Sequence, residues 1–378
     1  MRGLISPQAF IKSHRMHLKK LQFSLLFLLL VTSCITAQDI HFTQYNMSQM
    51  TLNPANTGGF EGTVRIGGIY RSQWTSVLKS NQYETPSLWV DAPIIRGFRR
   101  NDWIGVGLML FQDRVGAGSL VHSANKLGAA YHLGLGKGGK TVLTLGGHYG
   151  QETYRVGDPE NFRFGDGLSR GNFMDDDDYK SFTGTGTGGA PGSGNEDPRS
   201  NFSDFDAGIA LTSKLNKTTD FKFGFAVFHL GQPRFGLPTG GGGGGTPGTG
   251  SFRQPRRYVT TGVFNIKTSD RMTISPSFIF QTMNKQDEIM VQGLAGYLFD
   301  PEKDITLQAG LGYRLGDAIN LIVGAKKKGL TVGLAYDVNT SGLNNDTRNR
   351  GGFEIAANYV VKIYKKAVVK PKLLCPRF

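Results

Sequence analysis

Residues 134–141, Gly-Leu-Gly-Lys-Gly-Gly-Lys-Thr, satisfy the phosphate-loop pattern G-x-x-x-x-G-K-[ST]. That pattern holds a nucleotide only when a strand enters the loop and a helix leaves it with its N–H groups aimed at the phosphates. Here Thr141-Val-Leu-Thr-Leu-Gly-Gly-His continues as strand, so the match reads as a Gly-Lys hairpin turn. Gly167-Leu-Ser169-Arg-Gly171 spells G-x-S-x-G, but it lies in a low-complexity stretch with no strand-to-helix elbow to present the serine. Of seven histidines, two sit in the leader; His41, His122, His132, His148 and His229 are scattered, without H-E-x-x-H spacing or paired ligands. His122, His132 and His148 could meet across neighbouring strands, as the base of a hydrolase or as ordinary cavity-lining side chains. The run Asp175 to Asp178 lacks the spaced ligands and fixed glycine of a calcium loop and reads as solvated charge. No catalytic, cofactor or metal site is expected, and the chain is not expected to be an enzyme.

The elements that carry these residues alternate. In Ile305-Thr-Leu307-Gln-Ala309-Gly-Leu311-Gly-Tyr313-Arg-Leu315 every odd position is apolar and every even one small or polar, the period of a strand with one wet face. Leu330 to Val338 and Phe353 to Ile363 repeat it. The same period, broken at Gly, Asn and Asp clusters, predicts strands near 62–74, 83–92, 103–114, 119–136, 141–156, 204–215, 220–232, 256–268, 271–283, 288–299, 305–315, 318–326, 330–339 and 352–364. These are fourteen, an even number, each long enough for the roughly 9–11 tilted residues that cross a bilayer. The fold class is all-β: an antiparallel transmembrane β-barrel of the outer membrane, spanning 62–364. Tyrosine and phenylalanine near the strand ends are candidate interface girdles.

Export supports that reading. Lys19 and Lys20 precede the apolar run Leu21 to Val31, too short for a membrane helix and suited to a secretory signal over 1–37. Cleavage after Ala37 competes with lipidation at Cys34, and the small-residue rule favours Ala37. Only Cys375 would then remain, which excludes an intrachain disulfide. Five of the +14 formal charges fall in residues 1–37, leaving a mildly basic +9 with Lys and Arg at segment ends, a distribution unsuited to nucleic acid. Glycine, at 53 residues, is about twice its usual share, and much of it lies in two low-complexity connections, 157–203 and 233–255, the second holding the run Gly240 to Gly245. With residue 38 starting in the periplasm, both connections and 340–351 fall outside, and the turns 137–140, 216–219, 269–270, 300–304 and 327–329 fall inside. The inner side is then basic, from Arg96, Arg99, Arg100, Lys326, Lys327, Lys328 and the stretch Lys362 to Arg377 that runs into the periplasmic tail 365–378, a charge that suits acidic partners or is simply solvated.

The segment 38–61, expected to be periplasmic, is less easily placed. Phe42, Tyr45, Met47, Met50 and Leu52 are too apolar for a free tail; they plug the lumen, bind a partner, or pack under the barrel floor.

That segment also carries a likeness. Gln38-Asp-Ile-His-Phe42-Thr-Gln44-Tyr45, then Asn53-Pro54-Ala55 and Gly58, resembles the PorP/SprF family of type IX secretion system outer-membrane proteins. The likeness continues through Arg71-Ser-Gln73-Trp74, Leu88-Trp-Val-Asp91-Ala-Pro93, Gly105, Gly107, Asp113, Gly116, Phe225 to Leu230, Arg257-Tyr258, Tyr313-Arg314, Ala335-Tyr336-Asp337 and Phe353-Glu354-Ile355. The two Gly-rich connections, and Glu84-Thr85-Pro86, depart from it. The resemblance implies a barrel of the secretion and gliding machinery that binds and helps deliver or anchor a large surface adhesin through the adhesin's C-terminal targeting domain. It implies as partners a periplasmic ring lipoprotein, a peptidoglycan-binding lipoprotein and outer-membrane lipid, with no cofactor and no nucleic acid. The residues matching the family motifs, and so implied in partner binding, are Phe42, Gln44, Tyr45, Asn53, Pro54, Ala55, Arg71, Gln73, Trp74, Asp91, Pro93, Tyr336, Asp337 and Glu354. A porin-like channel for small or hydrophobic solutes would share the barrel and the signal, but would not require the shared amino-terminal motif.

Overall fold

The computed structural model describes residues 39–78, 82–96, 99, 101–116, 119–136, 140–157, 199–235, 252–342 and 344–363. The leader, the Asp175 to Asp178 run, the G-x-S-x-G match, the Gly240 to Gly245 run and the tail 365–378 lie outside the described residues.

Among the described residues there are sixteen strands: β1 (Val64–Gln73), β2 (Tyr83–Arg96), β3 (Trp103–Val115), β4 (Leu120–Leu135), β5 (Thr141–Val156), β6 (Arg199–Lys214), β7 (Thr219–Phe228), β8 (Arg234–Phe235), β9 (Phe252–Arg253), β10 (Arg257–Lys267), β11 (Met272–Met283), β12 (Gln286–Asp300), β13 (Ile305–Arg314), β14 (Ala318–Lys327), β15 (Leu330–Asn339) and β16 (Arg350–Val361). Fourteen of them close into one antiparallel barrel in which β1 pairs with β16 and β7 with β10, while β8 and β9 pair as a separate ribbon. Closure leaves no strand edge with unpaired N–H and C=O groups, the condition for crossing a bilayer without helices. No helix among the described residues is long and apolar enough to cross a membrane.

Side-chain phase fixes which face meets lipid. In β13 and β15, Leu307, Leu311, Leu334 and Tyr336 are exposed outward, whereas Arg314 and Asp337 on the opposite phase are buried inside. The wet face of the pattern is thus the lumen, and the outer surface is a continuous apolar band far larger than a soluble monomer exposes. Exposed rings mark both rims of that band: Tyr313, Tyr336 and Phe353 at one, Tyr297, Phe299 and Tyr359 at the other.

Several boundaries differ from the sequence expectation. β6 begins at Arg199, inside the stretch read as a 157–203 connection, because Phe202 and Asp204 keep the lumen phase against β5. The 233–255 connection contains the β8–β9 ribbon, and β7 ends at Phe228, where His229 takes a positive φ of 56° and turns the chain. Register shifts fall at Pro93, which has no N–H for the ladder, and opposite Asp337, where β16 carries one extra residue while Asp337 keeps its lumen phase. The largest difference concerns residues 39–61, read as a periplasmic lead-in. The stretch 39–57 lies inside the barrel and fills its lumen, the first of the alternatives its apolar residues left open.

Candidate functional site

A single helical turn, Gln49–Leu52, and a 3-10 turn, Pro54–Asn56, are the only regular structure in the lumen segment. A stretch this irregular and this buried from bulk solvent finds many of its hydrogen-bond partners in the barrel wall. The wall provides them in three charged centres, separated by two apolar patches. Phe42, Met47 and Met50 pack on Ile69, Trp89 and Met109 in one patch. Tyr45 packs on Phe228, Val259 and Ile279 in the other, and its hydroxyl meets Ser277 Oγ at 2.6 Å.

The first centre lies on the five neighbouring strands β1, β16, β15, β14 and β13. Glu354 accepts the backbone N–H of Thr43 on Oε1 (2.6 Å) and that of Gln44 on Oε2 (2.8 Å). Arg71 donates through Nη1 to Glu354 (2.5 Å) and through Nη2 to Asp337 (3.1 Å). Thr43 Oγ1 donates to Asp337 (2.7 Å) while accepting from Arg71 (3.2 Å) and Arg314 (2.9 Å). Asn320 completes the shell of Asp337 at 2.7 Å. Arg71, Glu354 and Thr43 are each at most 1% exposed, so the charged hydrogen bonds here are not shared with bulk water. His41 stands 3.8 Å from Glu288; burial holds it neutral, with its pKa lowered to about 4, so this contact is no ion pair at neutral pH.

The second centre joins β1 and β2. Arg65 grips Asp91 with both faces of its fork, Nε to Oδ1 at 2.8 Å and Nη2 to Oδ2 at 2.6 Å. The pair then reads the lumen segment: Asp91 accepts the N–H of Gly58 (2.7 Å), and Arg65 donates to the carbonyl of Asn56 (3.2 Å) and to Gln49 Oε1 (3.1 Å).

The third centre spans β4 to β7. Lys126 Nζ lies 2.6 Å from Glu152, 2.6 Å from Asp204 and 2.8 Å from Asp206. His229, just past β7, bonds Asp204 at 2.9 Å and stands 3.4 Å from Asp39. Burial works against its charge, but those two carboxylates raise its pKa to about 10 and keep it cationic. Burial likewise opposes ionisation of Asp39, and Arg257 with His229 overcomes it, holding the carboxyl well below the usual range. Arg257 also donates to the carbonyl of Ile40 (2.9 Å). Glu152, Asp204 and His229 place one ligand atom each within 4.8 Å of one another, the spacing of a metal site. The ammonium of Lys126 already stands where a cation would neutralise them, so the cluster is complete as an ion-pair network. The expected meeting of His122, His132 and His148 is only partial. His132 and His148 both reach Thr57, at 2.8 and 3.4 Å, whereas His122 bonds Glu152 at 2.8 Å, and the charged cluster gathers His122, His229 and, 3.7 Å from Asp206, His148.

Of the motif residues, the structure brings Gln44, Arg71, Asp337 and Glu354 together at the first centre and Asp91 at the second. Asn53 accepts the N–H of Ala55 (2.8 Å) and donates to the carbonyls of Ile209 (3.0 Å) and Phe225 (3.3 Å), pinning Asn53-Pro54-Ala55 to β6 and β7. Phe42 and Tyr45 sit in the two apolar patches, and Pro93 faces the lumen opposite Gly105. Gln73, Trp74 and Tyr336 stand apart: the Trp74 ring lies tilted against Tyr83 at the rim, with centroids 5.4 Å apart, and Tyr336 points at lipid. Arg65, Lys126, Glu152, Asp204, Asp206 and Asn320 were not singled out by sequence, and Thr43 and Arg314 stood out only within the family likeness. The signal of those on strands was a charge or amide on the small-residue phase of an otherwise lipid-facing strand, as Arg314 is in 305–315.

Close approach of the segment requires glycine at several wall positions, among them Gly146 on β5 and Gly208 on β6. A Cβ on Gly146 would lie 2.5 Å from Ala55 N, and one on Gly208 would collide with Asn53 Oδ1. Gly208→Val should therefore force Asn53 off β6 at an overpacking cost of about 1–3 kcal/mol. The expected result is chymotryptic cleavage at Phe42 or Tyr45 in the purified variant and protection of both in the parent.

A closed barrel with an apolar exterior, a charged lumen and its own amino-terminal segment bonded into that lumen is an outer-membrane barrel of the internally plugged kind. The family model of the type IX secretion system membrane protein PorP/SprF matches residues 35–359. The chain belongs to the PorP/SprF family. No curated protein matches it. Among solved structures, the toluene transporter TbuX of Ralstonia pickettii is similar at 12% identity and a TM-score of 0.47, over 83% of this chain and 94% of that one. The toluene transporter TodX of Pseudomonas putida is similar at 11% and 0.43, over 85% and 94%. The KdgM porin is similar at 8% and 0.34, over 78% and 98%.

Proposed function

We propose that this barrel binds a large secreted adhesin through the adhesin's C-terminal targeting domain and helps deliver or anchor it at the cell surface, within type IX secretion and gliding machinery. The observation that supports this reading over a solute channel is the occupied lumen. Residues 39–58 hold both carboxylate oxygens of Glu354 and the Arg65–Asp91 pair, which a conducting pore would leave to water and solute. The buried histidines act in this reading as structural partners of Glu152, Thr57 and Asp204, with no catalytic part. The short-turn end faces the periplasm, where a ring lipoprotein and a peptidoglycan-binding lipoprotein are the partners, and the long connections face outward.

Loss of the gene should leave membrane integrity and small-solute uptake unchanged while one large protein disappears from the cell surface. That protein should co-purify with the barrel, because a carrier holds its cargo longer than a channel holds a solute. A deletion strain that keeps every surface protein and loses uptake of one small nutrient would overturn the proposal in favour of a porin-like channel.

A further inference from the structure

At the short-turn end the lumen widens beneath the plug into a cavity of about 890 Å³, roofed by Ala55, Gly59 and Phe60. Its charge differs from that of the rest of the lumen. Elsewhere each buried cation has a carboxylate within reach: Arg65 has Asp91, Arg71 has Glu354, and Lys126 has three. Around this cavity stand Arg96, Lys140, Lys214, Lys222 and Lys362, and among the described residues none of the four lysines has a carboxylate at ion-pair distance.

The acids nearby are engaged or apart. Asp102, in the cavity wall, accepts the hydroxyl of Tyr131 (2.5 Å) and the N–H of Gly134 (2.9 Å). Asp220, opposite Lys214 in register, accepts from Asn265 (2.7 Å). Glu61 alone is left against five cations. Lys214 and Lys222 share the lumen phase of β6 and β7, and Lys222 is half-buried, where an uncompensated charge is costly to hold. The arrangement is that of one half of an electrostatic contact.

The shape narrows the other half. The cavity is far too large for a single phosphate; Arg96 spends its fork on the carbonyl of Gly62 (2.6 Å), and the other four cations are long, separate lysine stems. It lies inside the closed ring of strands, whose seam is the paired β1–β16 ladder, so a lipid headgroup has no lateral way in from the bilayer. Between the cations the wall presents Phe60, Val142 and Ile363, an apolar lining that a chain with alternating acidic and apolar side chains would cover. We infer that this vestibule is a docking site for an acidic, extended segment of a partner polypeptide, its carboxylates set against Lys140, Lys214 and Lys222. The inference concerns a contact at the short-turn end and stands apart from adhesin delivery.

The test uses the full chain purified in detergent and a labelled peptide of Glu-Phe-Gly repeats, followed by fluorescence anisotropy. Binding should weaken steadily with added salt, and the double variant Lys214→Gln, Lys222→Gln should lose about tenfold or more in affinity. Heat-modifiable migration on a gel reports whether that variant is folded. Should it not be, Lys140→Gln on the exposed turn is the second arm and should weaken binding alone, since it removes charge without touching the barrel wall. Equal binding of a Gln-Phe-Gly peptide, or unchanged affinity of the folded lysine variants, would overturn the proposal. Displacement of the peptide by inorganic phosphate at matched concentration would overturn it too, in favour of a small-anion site.

Discussion

Arg71→Met should free the amino-terminal segment from the lumen while leaving the barrel standing. The guanidinium lies between Glu354 and Asp337, which are both buried, and it is the cation that lets Glu354 present two oxygens to the backbone of Thr43 and Gln44. Methionine restores volume without charge, so two carboxylates are left facing each other with Arg314 alone. Breaking a buried pair from one side costs about 3–5 kcal/mol. The ladders β1–β16 and β15–β16 run through backbone groups that the substitution does not touch, so the loss should fall on the segment and not on closure. Hydrogen exchange reads this directly: the amides of Thr43 and Gln44 should exchange far faster in the variant, and those of β1 and β16 should not. Arg71→Lys should fall between, because an ammonium cannot serve both carboxylates with a planar fork. Unchanged protection at Thr43 and Gln44 in Arg71→Met would show that apolar packing alone holds the segment.

The barrel was legible in the sequence because a lipid-facing strand writes its period plainly. Leu307, Leu311 and Tyr313 had to be apolar and the positions between them had only to be small or polar. The plug was half legible. Phe42, Tyr45 and Met50 showed that the segment before β1 needed cover, but composition cannot distinguish the inside of a barrel from its floor. The motif Asn53-Pro54-Ala55 stood out without a reason; the structure supplies it in the backbone approach to Gly146 and in the Asn53 amide that bonds two strands. The charged centres were least legible, because each gathers residues far apart in the chain. Thr43 and Glu354 meet across 311 positions and Lys126 and Asp204 across 78, so only strand register brings them face to face. His229 illustrates the limit: read as part of a strand from 220 to 232, it is the turn residue whose positive φ lets it reach Asp204 and Asp39 together.

Lys126→Met is expected to have the larger effect. Three carboxylates, those of Glu152, Asp204 and Asp206, converge on one ammonium in a site where all four side chains are at most 2% exposed. Opposite charges there do not share their field with bulk solvent, so the attraction that offsets desolvation is concentrated in one group. His229 shields Asp204, and His122 shields the other oxygen of Glu152, but neither lies within hydrogen-bonding distance of Asp206 through its ring. Without the lysine of β4, Glu152 on β5 and Asp204 and Asp206 on β6 would face one another as mutually repelling anions in the lumen. The expected outcome is failure to assemble, seen as loss of the heat-modifiable band and degradation in the periplasm. Neutralising the partners gives the control that separates charge from packing. Lys126→Met combined with Asp204→Asn and Asp206→Asn should recover assembly, although the triple variant has lost more polar contacts than the single one. A triple variant as defective as Lys126→Met would mean that the lysine matters for its shape and hydrogen bonds, and that charge balance is not what this part of the lumen requires.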